Sequence, residues 1–487
     1  MKARYLVAAI AASIAAAAYA KTSHPTFDSS KIDTSTARSS RLAKIANILS
    51  QSHPSTFIKP EGLFGCASEA DCETKGNAYY KRIGAKDAAG NPTASRGTMQ
   101  AWMATNGFST NPLVPASGEL RAVYYNRADL GFGRDLHCKS HGTGFVEPPR
   151  DIKTQSARMA APDQPRSAQA ASRTYVALGG TVYACYVTNF GDNSAPLAAN
   201  GNEQQAITKA KNNNSPIATV AMEVYRPASG VGTPEVRFFV YDTGGTQTDH
   251  HTPIPTALAG QLIPYAILDN DHSDDPDGKK ANPGTCMNCH GGTAPDSSGS
   301  NGNHTAADTV VTGSNFLPFD AQLFGYDTAA GSLFSEANQR ETMRKLNAFV
   351  RTTVPPAPPV TAQINGWYAW CGGVTVPLCA IDDTNHPFTP AGWANPSAVQ
   401  IAGLGSAQTV TGTKLVNLYQ TVSRKYCRTC HLANFAYFDV QDVNQAGDMK
   451  SKLNPLGTTT DMPNAERTFN GYWLDPAAQA TYGTIWP

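Results

Sequence analysis

Thr411 to Asn434 reads TGTKLVNLYQTVSRKYCRTCHLAN, and how this stretch folds decides how the rest of the chain is read. Leu415, Leu418, Tyr419, Val422 and Tyr426 recur at three-and-four spacing, which predicts a helix with one apolar face. The helix runs into Cys427-Arg428-Thr429-Cys430-His431, where two thiols three positions apart share one side of a helical turn and an imidazole follows directly. The same C-x-x-C-H pattern stands earlier, at Cys286-Met287-Asn288-Cys289-His290. Taken singly, such a pentapeptide is compatible with a redox dithiol, with half a zinc site or with chance.

Two copies in one chain favour a further reading, the attachment of haem c. Each thiol can form a thioether with one vinyl group of the porphyrin while the histidine faces the iron. On these residues the chain resembles the c-type cytochromes. The resemblance implies two covalently bound haem c groups, with Cys286, Cys289, Cys427 and Cys430 as anchors and His290 and His431 as proximal iron ligands. From Lys414 to Trp473 the order also resembles a small single-haem cytochrome c: a helix, C-x-x-C-H, Asp461-Met462-Pro463, and a closing run with Phe469, Tyr472 and Trp473. That likeness implies Met462 as second axial ligand to the iron of His431, its soft sulfur raising the reduction potential. The loop from His431 to Met462 is shorter than usual in that family, and Met449 is the alternative.

No Met-Pro follows His290 before the second motif, so the sixth ligand of the first haem is a distant residue, a water or nothing. Candidates are His137, His141, His250, His251, His272 and His304, with Met343 and Tyr326 beyond them. His137 comes first, because the adjacent Cys138 can hold it rigidly through a disulfide.

Residues 1–20, MKARYLVAAIAASIAAAAYA, read as a signal peptide. Lys2 and Arg4 form a basic start, Leu6 to Ala18 an apolar run too short for a comfortable membrane span, and Ala18-Tyr19-Ala20 a small-x-small cleavage site. The expectation is a mature chain from near Lys21, without a transmembrane segment, in the periplasm or secreted. Ten cysteines less the four in the paired motifs leave Cys66, Cys72, Cys138, Cys185, Cys371 and Cys379. In an oxidising compartment these read as disulfides, and closeness in sequence favours Cys66–Cys72, Cys371–Cys379 and Cys138–Cys185, with buried thiols as the alternative.

With 39 Lys plus Arg against 38 Asp plus Glu the 487-residue chain is nearly neutral, so nothing in its charge argues for a nucleic acid or an anionic membrane as partner. The length accommodates more than one core. The expected class is α+β, with a helical and antiparallel-sheet domain over residues 21–268 preceding a mainly α, loop-rich diheme region. In the first part Thr36 to Gln51 and Ser95 to Thr105 are helical, the latter with Met99, Trp102 and Met103 as core. Ala122 to Cys138 reads as a structural loop around Gly131-Phe132-Gly133, and residues 151–173 as a mobile loop. Thr181 to Phe190, Ile217 to Tyr225 and Val236 to Tyr241 are β-branched or aromatic runs that predict antiparallel strands.

Residues 269–353 form the first haem region. Its acidic opening, Asp269 to Gly278, is a solvated loop or a calcium site, though Asp274 stands where an EF-hand loop has Gly. Phe316, Leu317, Phe319, Leu323 and Phe324 are dense enough to cover a porphyrin face or to be core, and Ala337 to Thr352 is an amphipathic helix. Residues 354–360 are a Pro-rich connector, and residues 361–487 the second, cytochrome c-like domain.

Two functions compete, with a haem-bearing binding module whose N-terminal sheet docks a partner as a third class. An electron carrier that passes single electrons between redox partner proteins has both irons six-coordinate. A diheme oxidoreductase keeps the first haem open to peroxide or oxygen, and the 141-residue separation of the two histidines resembles the diheme peroxidases and the related rubber oxygenases. The carrier is the reading adopted.

Overall fold

The computed structural model describes residues 69–127, 132–141, 180–191, 203–226, 234–242, 260–267, 279–292, 311–353, 357–382, 384–394, 399–401, 408–410, 412–433, 439–443, 472 and 475–485. The signal peptide, the Thr36 to Gln51 helix, Cys66, the 151–173 loop, the acidic loop from Asp269, Met449 and Met462 lie outside them.

The chain is α+β. Helix α1 (Glu69–Arg82) and the short α2 (Met99–Thr105) precede strands β1 (Leu120–Asn126), β2 (Gly133–Ser140) and β3 (Gly180–Phe190). Helix α3 (Glu203–Lys211), β4 (Pro216–Arg226), β5 (Glu235–Asp242) and a small hairpin of β6 (Tyr265–Ile267) with β7 (Lys279–Ala281) follow. Strand β8 (Phe324–Gly325) joins the edge of a six-stranded sheet, order β5-β4-β3-β2-β1-β8, antiparallel throughout.

The three predicted strands are β3, β4 and β5. Ala122 to Cys138 is a correction: it is a hairpin, β1 and β2, in which Arg121 lies opposite His137. Its Gly133 serves packing. A Cβ on Gly133 would come within 2.6 Å of Ala206 O, so only glycine lets α3 lie against the hairpin. Cys138 and Cys185 face each other across β2 and β3 and are bonded, as are Cys371 and Cys379. Cys72 is also disulfide-bonded.

Alternation along the strands gives the sheet two faces. Tyr186 and Phe239 look toward Trp102, which is wholly buried and stacks on Phe108 at 5.4 Å, as expected for a core residue. The side chain of Thr98 caps α2 by accepting the Ala101 N–H at 3.1 Å. On the opposite face stand Tyr124, Arg134, Leu136, Val187, Met222 and Phe238. Both sheet edges are covered. The Phe238 and Val240 N–H groups of β5 donate to the hydroxyls of Tyr79 and Tyr80, and on the β1 side the Gln339 amide exchanges two hydrogen bonds with the Val123 backbone, at 2.8 and 2.7 Å.

Helix α4 (Gly284–His290) carries the first C-x-x-C-H. Helix α5 (Glu336–Thr352) is the predicted amphipathic helix, capped by Ser335, with Met343, Leu346, Phe349 and Val350 buried. The Pro-rich connector is corrected in part, since Pro358, Pro359 and Val360 open helix α6 (Pro358–Tyr368) and the latter two are buried. Proline suits a first helical turn, where its missing N–H has no intrahelical acceptor. Beyond lie α7 (Ala391–Ala394), the paired β9 (Val399–Ile401) and β10 (Gln408–Val410), α8 (Gly412–Leu418), a π-helical segment over Tyr419–Cys427, α9 (Arg428–His431) and α10 (Pro476–Ile485). One hydrophobic core runs through the sheet and both C-x-x-C-H segments, from Tyr79 to Ile485. Among the described residues no helix is long and apolar enough to cross a membrane.

Candidate functional site

Helix α4 ends on two glycines with positive φ, Gly291 at 64° and Gly292 at 100°. They turn the chain so that residues 312–315 lie back along the helix end. A Cβ on Gly292 would sit 2.2 Å from Ser314 Oγ and 2.9 Å from Ser314 N, so this reversal needs glycine twice over. The return holds the histidine: Asn315 N–H donates to His290 O at 2.8 Å, and His290 Nδ1 lies 2.7 Å from Asn315 O. A carbonyl only accepts, so Nδ1 carries the proton and the lone pair of the neutral ring is on Nε2. Asn315 Oδ1 in turn accepts the Ala357 N–H at 2.6 Å, which ties the entry of α6 to the same residue.

The second motif reaches its place through the π-helical segment. Arg428 N–H donates to Ser423 O, five residues back. The wider turn rotates the helix, so the buried positions after Val422 are Ser423, Cys427 and Arg428, and the predicted apolar Tyr426 is only half-buried. Tyr426 instead donates from its hydroxyl to Asp475 Oδ2 at 2.7 Å.

The two motifs, 141 residues apart in sequence, meet. Helices α4 and α9 pack together, and Cys289 Sγ lies 3.2 Å from Cys430 Sγ. Cys286 and Cys427 are buried thiols, and burial pushes each up to about 12, with the nearby Cys289 adding to the effect at Cys286. Among the described residues no three Cys, His, Asp or Glu side chains converge as a metal-ion site, so the paired C-x-x-C segments do not close into a four-thiolate cage.

Beside His290 opens a pocket of about 130 Å³. The β-sheet supplies one wall, with Tyr124, Met222 and Phe238. The loop after the first motif supplies Phe316, Leu317, Phe319 and Phe324, and the second motif with the residue that follows it supplies Arg428, Thr429 and Leu432. Of the five residues expected to cover a porphyrin or form core, Leu323 is the one outside this lining.

Sequence reasoning missed the charged floor of the pocket. Asp320, 5 % exposed, accepts from Arg424 Nε at 2.9 Å and Arg424 Nη2 at 3.1 Å, and pairs with Arg428. Burial by itself raises the Asp320 pKa, but Arg428 and Arg424 outweigh it and hold the carboxyl below its usual range. The Arg428 guanidinium also lies over the Trp367 ring, 5.1 Å from its centre, and donates to the Tyr419 hydroxyl at 3.3 Å. This group bolts the helix of the second motif to the loop that follows the first.

His137 is placed elsewhere. It stands on the other face of the sheet from the pocket, wholly buried and stacked on Tyr186 at 4.4 Å. Its Nδ1 bonds Glu119 Oε1, and its Nε2 is 3.1 Å from Asp135 Oδ1, near enough for an ion pair though not aligned as a hydrogen bond. With both nitrogens facing carboxylates, His137 is built as a buried cation. Of the other candidates, Tyr326 donates its hydroxyl to Ala321 O, and Met343 is core on α5.

The cation has a pH signature. Burial lowers the His137 pKa, but Asp135 and Glu119 together outweigh it and hold it above its ordinary value. A raised folded pKa stabilises fully below the unfolded value of about 6.5 and is lost as pH rises through the folded pKa. The midpoint of denaturant unfolding should therefore fall as pH is raised from about 6 toward 9, and His137→Gln should flatten that dependence. An unchanged slope in the variant would show that His137 is not the group responsible.

No protein-family model, no curated protein and no solved structure matches this chain.

Proposed function

We propose that this chain is an exported diheme c-type cytochrome that moves single electrons between redox partner proteins. The observation that carries the reading is the meeting of two C-x-x-C-H helices, Cys289 against Cys430 at 3.2 Å, beside a pocket that His290 lines with Nδ1 already committed to Asn315 O. A proximal histidine whose second nitrogen donates to a backbone carbonyl has its tautomer and ring plane set for binding iron. Haem, when bound, supplies a one-electron couple. The chain's own part is to anchor two such groups as neighbours through Cys286, Cys289, Cys427 and Cys430, to orient His290 and His431 toward them, and to exclude water with Phe316, Phe319 and Phe238.

Intact mass of the chain matured in a host with haem-attachment machinery should exceed the processed polypeptide by two haems. Changing both Cys286 and Cys289 to Ala should leave one. Haem content unaffected by that double change, or absent from the parent, would refute the assignment. For the second iron the resemblance implies Met462, so Met462→His should abolish the weak long-wavelength absorption of Met–Fe³⁺ ligation and lower that haem's potential. Persistence of the band would reassign the ligand.

A second reading, a diheme oxidoreductase of the peroxidase or oxygenase type with an open first haem, is favoured by one observation. Among the residues lining the pocket His290 is the sole imidazole and Met222 the sole thioether, because His137 faces away. The choice between carrier and enzyme thus turns on Met222.

A further inference from the structure

Among the cavities, charged clusters and exposed apolar side chains of the described residues, the contact between the two motifs carries an inference furthest. We propose that Cys289 and Cys430 form a disulfide that joins the two C-x-x-C-H helices in the chain before haem is attached. Its consequence for maturation rests on the cytochrome reading; the bond itself does not.

The two sulfurs are 3.2 Å apart, so closing them to the roughly 2.05 Å of a disulfide takes a movement of about 1 Å. Neither helix is loosely held. Asn315 fixes the end of α4 through His290, and the Arg428–Asp320 pair fixes the start of α9. Exposure also selects this pair, because Cys289 and Cys430 are half-buried whereas Cys286 and Cys427 are each only 7 % exposed. A small disulfide can therefore reach the former two and is screened from the latter two. The same chain closes Cys138–Cys185 and Cys371–Cys379, so it is built to mature where such donors act.

The step is a thiol–disulfide exchange with a low-molecular-weight disulfide such as oxidised glutathione. The thiolate of one cysteine attacks the donor and releases one glutathione thiolate. The thiolate of the other cysteine then displaces the second glutathione from the mixed disulfide. Two protons leave the protein, two electrons pass to the donor, and one protein S–S bond replaces one small-molecule S–S bond. Since each motif gives up one of its two thiols, a single bond closes both attachment sites, and a single reduction reopens both.

The test uses the full chain, produced in an oxidising compartment of a host without haem-attachment machinery, incubated with oxidised glutathione, and alkylated under denaturing, non-reducing conditions. Peptide mapping should give the Cys289 and Cys430 peptides as one species, two hydrogens lighter than the separate thiol peptides, with Cys286 and Cys427 alkylated. The double variant Cys286→Ser, Cys427→Ser should retain the cross-link, with intact Cys138–Cys185 reporting that it has folded. Predominant Cys286–Cys289 or Cys427–Cys430 bonds, or alkylation of all four thiols, would overturn the proposal. Haem attachment in a competent host without any cross-link in the haem-free chain overturns it and leaves the cytochrome reading standing. A cross-link in a chain that never takes haem does the reverse.

Discussion

Asp320→Ala should destabilise the protein by about 3–5 kcal/mol, the largest effect expected of any single substitution outside the hydrophobic core. The carboxylate is buried and takes hydrogen bonds from Arg424 and Arg428, both of which reach it from the helix that carries the second motif. Removing it leaves two guanidinium groups facing each other without an anion, which costs far more than the net worth of the ion pair, because a buried unpaired charge loses its solvation without compensation. Asp320→Asn, which keeps the shape and part of the hydrogen bonding, should fall between. Adding Arg428→Met to Asp320→Ala should recover part of the loss, since it takes out one of the stranded charges. Denaturant midpoints of the three variants decide the matter. A deficit under about 1 kcal/mol for Asp320→Ala would place the group in the class of exposed ion pairs.

On the proposed cytochrome reading, carbon monoxide should fail to bind a reduced haem held at Cys286 and Cys289 in the parent protein and should bind it stoichiometrically after Met222→Ala. The expectation follows from the pocket. With His137 locked between Glu119 and Asp135 on the far side of the sheet, Met222 on β4 is the one thioether among the lining residues and would be the sixth ligand of an iron held by His290. A carrier keeps both axial ligands through its redox cycle, so that little reorganises when an electron arrives, whereas an enzyme needs an open position. The optical change on adding carbon monoxide to protein in which only the haem at Cys286 and Cys289 is retained isolates this iron from the other. Binding in the parent would sink the carrier reading and support the peroxidase or oxygenase type. Inertness in both parent and variant would remove Met222 as the ligand.

Much was legible in one dimension because it depends on local chemistry. The strands β3, β4 and β5 announced themselves through β-branched and aromatic runs, α5 through its apolar stripe, and Cys371–Cys379 through closeness in sequence. The β1–β2 hairpin was hidden, since Gly131 and Gly133 read as chain breakers, whereas Gly133 is there because α3 approaches too closely for a side chain. The helix of the second motif was found with Leu415, Leu418, Tyr419 and Val422 on its buried face, but its last turn was misjudged. Periodicity assumes a constant turn, and a π-helical stretch moves Cys427 and Arg428 inward while leaving Tyr426 half-exposed.

The sequence by itself determined the chemical inventory: paired thiols followed by histidine, twice, in a chain of nearly balanced charge with an even remainder of cysteines. Tertiary structure alone decided who meets whom. Asp320 lies 104 and 108 positions from Arg424 and Arg428, Cys289 lies 141 from Cys430, and His137 takes Glu119 across a strand turn rather than a metal across the sheet. No local pattern encodes such partners, because a buried charge or thiol accepts any complementary group that packing brings within reach. Which group that is depends on how the sheet and the two helices share a single core.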